Sequence, residues 1–178
     1  MTIVNRGQAP ARVSITVSGR PTLPEPAEEH GYRIERSFFR LDGTPVEANA
    51  IRQNDRLVVA LKITELEAAP ARLILVDRLP AGLEIDNPDL FDGGSAENLD
   101  WVKATVAPSH TETKDDRFIA SFERDGADKA EFAIAYVVRA VSPGQYVLPP
   151  ASIEDMYRPE RYGRTGFGAV EISQGAKK

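Results

Sequence analysis

The chain has 178 residues, with 22 Lys and Arg against 27 Asp and Glu, a net charge of −5, 42% hydrophobic residues, 13 Gly, 13 Pro and no Cys. This is the make-up of one ordinary domain, long enough to bury about 70% of its extended surface, and the missing Cys excludes disulfides, thiolate metal sites, thiol nucleophiles and an internal thioester within this chain. An acidic balance supplies no surplus cation to release counterions from a phosphate backbone, so no nucleic acid partner is expected; no apolar run approaches the ~20 residues that cross a bilayer, and the start, MTIVNRGQAP, has no basic and apolar leader, so the chain is expected to be uninserted and to carry no address.

The dominant period along the chain is two. Val13, Ile15 and Val17 alternate with Ser14, Thr16 and Ser18, which predicts a first strand closed by Gly19 and Pro21. Residues 23–31, LPEPAEEHG, are Pro-rich and acidic, too poor in apolar surface to pack, and read as a connector. Tyr32, Ile34 and Ser37–Phe39 mark a second strand, ended by a turn at Asp42 and Gly43. From Arg56 to Glu65, Leu57, Val59, Leu61 and Ile63 share one face opposite Val58, Ala60 and Lys62, the pattern of a central strand.

Ala71 to Asp77 is a short apolar run between Pro70 and Pro80 and is predicted as a strand, followed by a turn at residues 79–82 and extended structure at Leu83 and Ile85. Residues 87–98 are polar with Gly93 and Gly94, and predict a long irregular loop. Trp101, the stretches 118–122, 132–141 and 146–148, and finally 168–172 complete the strand candidates, with Trp101 expected in the core. Helix is confined to at most one turn, at residues 88–91 or 154–157. About nine short strands with turn signals every dozen residues predict an all-β, two-sheet antiparallel sandwich of Ig or fibronectin-like appearance with little helix.

Catalytic parts are hard to assemble. His30 and His110 have no neighbouring ligand of metal-binding spacing and read as solvated surface groups. The adjacent carboxylates Asp115 and Asp116, and Glu154 and Asp155, point to opposite faces if they lie in strands, which does not suit acid–base work. No GxSxG and no Gly-rich phosphate loop is present. No catalytic residue, no metal ligand and no cofactor is therefore assigned. Lys62 allows two readings: an interior Lys forming an amide crosslink with a nearby side chain, or a solvated Lys whose stem lies along the sheet.

Residues 149–168, PPASIEDMYRPERYGRTGFG, form the most unusual stretch. Met156, Tyr157, Tyr162 and Phe167 stand among Arg158, Arg161 and Arg164 in a segment whose Pro and Gly argue against a regular element. Met, Tyr and Arg are enriched where proteins dock. The same residues would equally serve a loop folded back on its own domain.

Five stretches carry a family resemblance: YRIERSFFRLDGTPV, IRQNDRLVVALKIT, LVDRLPAGLEIDNP, DDRFIASF and AYVVRAVSPGQYVLPPASIEDMYRPERYGRT. Long and in order over about residues 32–172, they resemble the carboxy-terminal macroglobulin-like domain of bacterial alpha-2-macroglobulin. The resemblance implies a macroglobulin-like β-sandwich at residues 29–174 and a tail at 175–178. Residues 1–28 would be a leading strand and Pro-rich connector that ends a preceding CUB-like domain.

It further implies a non-catalytic part of a periplasmic protease trap whose parent is lipid-anchored to the inner membrane. The partners implied are the thioester domain and other macroglobulin-like domains of the parent, and, through the parent, trapped proteases. A Met–Tyr pair in the late loop of this family is held to shield the thioester from water; it maps onto Met156 and Tyr157, with Arg158 beside them. An extracellular adhesin-like Ig-fold binding module is the alternative, resting on the phrase DRLPAGLEI.

Overall fold

The computed structural model describes residues 2–19, 24–86, 106–127 and 131–175. These residues contain fourteen strands and no helix. In chain order the first seven are β1 (Glu28–His30), β2 (Tyr32–Arg40), β3 (Pro45–Val46), β4 (Ile51–Arg52), β5 (Arg56–Glu65), β6 (Ala71–Arg78) and β7 (Leu83–Ile85). The other seven are β8 (His110–Lys114), β9 (Arg117–Arg124), β10 (Glu131–Ala140), β11 (Gly144–Leu148), β12 (Ala151–Asp155), β13 (Arg158–Arg164) and β14 (Gly168–Ser173).

Two antiparallel sheets make the sandwich foreseen from the alternation. One has the order β1-β13-β12-β6-β9-β8, the other β3-β2-β5-β10-β7. β5 is the middle strand of the second sheet, paired along its length with β2 on one side and β10 on the other. Its inward residues Leu57, Val59, Leu61 and Ile63 meet Leu73 and Leu75 of β6, Phe118 and Phe122 of β9 and Ile153 of β12 in one continuous core. Rings join the sheets: Phe118 stacks on Tyr136 at 4.4 Å between centroids, and Phe122 tilts against Phe132 at 4.9 Å. A smaller third sheet, β11-β14-β4, seals one flank with Val170 and Ile172 in the core, and its β14–β4 pairing is parallel.

Two sequence expectations need correction, and the two readings of Lys62 are decided. The alternating residues 13–17 form no strand: Val13, Ile15 and Val17 are 55, 60 and 88% exposed. Alternation makes a strand possible, but a strand also needs a neighbour to satisfy its backbone groups, and no strand of the described chain lies beside this segment. The connector expected at 23–31 ends in a true strand, since β1 pairs with β13 through Glu28, Glu29 and His30. Lys62 lies on the outer face, half exposed, with Nζ 3.0 Å from Glu131, so the solvated reading holds and the interior crosslink does not. The loop expected at 87–98, the one-turn helix at 88–91 and Trp101 fall outside the described residues.

Candidate functional site

The segment 149–168, read from sequence as irregular, is a β-hairpin. Ala151, Ile153 and Asp155 of β12 point inward and are buried, whereas Ser152 and Glu154 point outward. The period of two was masked because the third inward residue is a carboxylate. Pro159 is accommodated because the β12–β13 register shifts after Glu154, leaving 159–161 out of the ladder, and because β1 covers only Tyr162, Gly163 and Arg164 of β13. Gly163 is required by a close approach: a Cβ there would collide with the backbone carbonyl of Tyr32.

Met156 and Tyr157 are the two residues of the hairpin tip, 49 and 80% exposed. Beneath them Asp155 is 1% exposed. Its Oδ1 accepts the Tyr157 backbone N–H at 3.1 Å, and its Oδ2 accepts Nε–H of Arg158 at 2.7 Å. The Met156 N–H donates to the Arg72 carbonyl of β6 at 2.8 Å. Arg158 donates through Nη2 to the carbonyl of Pro70, in the loop between β5 and β6. Met156 and Tyr157 thus project from an anchored turn, and Arg158, half-buried, serves as a strut under them.

Tyr162, Arg161 and Arg164 of this stretch turn back on their own domain, whereas Phe167 is 44% exposed. Tyr162 donates its hydroxyl to Glu28 and stacks on His30 at 4.7 Å. Arg164 holds Glu25 and Glu28 together, with Nη2 donating to Glu28 at 2.8 Å, and the Tyr162 hydroxyl draws the Glu28 carboxyl below its ordinary range. Arg161 lies over the Tyr32 ring at 5.6 Å and pairs with Glu67 at 2.8 Å. The two sequence readings of this segment therefore divide between its tip and its second strand.

The other candidates stand apart. His30 is exposed with its ring against Tyr162, and His110 is exposed on the edge strand β8. Asp116 pairs with Arg117 at 2.6 Å on the surface, while Glu154 and Asp155 point to opposite faces. Among the described residues no group of three or more His, Asp or Glu could hold a metal ion, and no helix is long and apolar enough to cross a membrane.

Sequence reasoning missed Asp155. An Asp two residues before a backbone N–H at a turn is the available signal, but its other tie, Arg158 to Pro70, is invisible along the chain.

The antiparallel all-β sandwich, helix-free among the described residues, matches the macroglobulin-like class of Ig-type domains. The family model described as the bacterial alpha-2-macroglobulin MG10 domain matches residues 31–160. The chain belongs to that family, which displaces the adhesin-like alternative. It is 33% identical over 185 residues to an alpha-2-macroglobulin of Xylella fastidiosa, covering 96% of this chain and 11% of that protein. It is 32% identical over 167 residues to the alpha-2-macroglobulin of Escherichia coli, covering 89% of this chain and 10% of that protein.

Among solved structures, native Escherichia coli alpha-2-macroglobulin from domain MG7 to the C-terminus superposes with a TM-score of 0.72 at 27% identity, over 87% of this chain and 25% of that one. The chain thus spans about a tenth of the length of the curated relatives it matches.

Proposed function

We propose that this domain is a non-catalytic packing module of a bacterial alpha-2-macroglobulin, a broad protease trap, and that its hairpin tip covers the thioester of the parent protein before the bait region is cut. The observation that carries the reading is the exposure of Met156 and Tyr157 on a turn anchored from below. A thioester survives only where water is kept out. A polarizable thioether beside an aromatic ring makes an adaptable apolar cover for it. The chain has no Cys, so the thioester this tip would cover must lie on another domain.

Arg158 stands at the rim, where its strut to Pro70 keeps the tip upright. Exposed apolar side chains of this size on a charged surface mark a docking site, and the docking partner in this reading is the thioester domain. The reading carries with it a periplasmic location for the parent, and a place for residues 1–28 at the end of a preceding CUB-like domain.

The test is the lifetime of the thioester in the uncut parent. Burying a Met and a Tyr stabilises the closed arrangement by roughly 1.5–3 kcal/mol each, so M156A/Y157A should leave the sandwich folded and speed the appearance of free thiol by at least tenfold. An unchanged lifetime in the double variant would show that the tip covers nothing.

A further inference from the structure

We infer that Asp155 is a positioning residue of the tip, whose buried carboxylate fixes the direction in which Met156 and Tyr157 project. The inference rests on the reading that the tip covers a thioester. The turn has little preference of its own. Two-residue hairpin loops favour the primed turns, which need positive φ and therefore Gly, Asn or Asp. Met156 and Tyr157 are neither, and neither adopts positive φ. The unprimed turn that remains matches the twist of its strands poorly, and the register shift between Glu154 and Asp155 follows directly behind it. What holds the tip is external to its two residues.

Asp155 provides two of those holds from one buried group, capping the Tyr157 N–H with Oδ1 and seating Arg158 with Oδ2. Arg158 passes the tie on to the Pro70 carbonyl, and the Met156 N–H is fixed separately on Arg72. Hydrogen bonds to a charged acceptor are the stronger kind. A turn held in its docked shape before docking loses less backbone freedom on contact.

The experiment has two arms. In the chain itself, amide hydrogen exchange at Tyr157 should rise about tenfold or more in D155A, the loss expected for a hydrogen bond to a charged acceptor. D155N keeps a side-chain carbonyl for the same N–H but turns an NH2 group instead of an acceptor toward Arg158, so its exchange should fall between wild type and D155A. D155E keeps the charge, and with it the pairing to Arg158, but its longer arm misses the turn geometry; it should behave as D155A does, which preserves the test if D155A fails to fold.

In the uncut parent, D155A and D155E should shorten the thioester lifetime with Met156 and Tyr157 still present, and D155N should shorten it less. Unchanged exchange in both D155A and D155E overturns the inference. A short lifetime in M156A/Y157A with a normal one in D155E also overturns it, and leaves the covering role standing. Raised exchange with normal lifetimes in every variant, M156A/Y157A included, overturns the covering role, while Asp155 keeps its hold on the tip.

Discussion

Asp77 on β6 is the most deeply buried carboxylate of the sandwich, and it ties the two sheets together. Arg36 of β2 donates to it from the facing sheet, Tyr136 of β10 donates its hydroxyl at 2.8 Å, and the second Arg36 nitrogen reaches the Pro149 carbonyl at 2.7 Å, just ahead of β12. Removing one member of a buried ion pair leaves the other uncompensated, so R36A should cost about 3–5 kcal/mol of unfolding free energy in urea titrations. Burial raises the Asp77 carboxyl above its ordinary range, against the pull of Arg36.

A raised folded-state value means that the native chain binds this proton more tightly than the unfolded one, so this contribution to stability grows as pH falls through the folded value and fades as pH rises. The wild type should therefore gain on D77N between pH 7 and pH 4.5 in parallel unfolding curves; a gap that stays constant or narrows would refute the assignment. Met156 and Tyr157 were legible as unusual from residue type and neighbours, which fitted a docking loop and a loop folded back on its own domain equally. Asp155 was not, because next to Glu154 it looks like one of two ordinary surface acids, and only the fold sends the two to opposite faces.

The strands that were legible are those in which alternation and pairing agree. In β5 the four inward residues Leu57, Val59, Leu61 and Ile63 are essentially fully buried, and both neighbours run its full length. Leu61→Ala should cost about 2–5 kcal/mol, as should Ile153→Ala on β12 if that strand is as integral to the core as its burial indicates. The misread elements separate the two requirements. Residues 13–17 alternate but have no partner, whereas β13 has partners on both sides of Tyr162, Gly163 and Arg164 but a sequence, RPERYGR, with scarcely an apolar residue.

β1 is held on that polar strand by charge: Arg164 bridges Glu25 and Glu28, and Tyr162 donates to Glu28. R164A should leave the core folded and raise amide exchange in β1 by about tenfold or less, the scale of one or two partly exposed hydrogen bonds. Full protection of β1 in R164A would show that backbone pairing alone secures it.

At the scale of the whole molecule, the hairpin tip is rigid because of what stands behind it. β12 is hydrogen-bonded to β6 from Ala151 to Asp155, β6 to β9 along its length, and the core beneath joins both sheets. A push on the tip is therefore resisted by the whole six-stranded sheet.

The most direct test places a photoreactive phenylalanine analogue at Tyr157 in the full-length parent, irradiates it before and after bait cleavage, and maps the crosslinked peptides. The account expects adducts on the thioester domain in the uncut protein that disappear on cleavage; adducts confined to other domains, or a pattern that cleavage leaves unchanged, would contradict it.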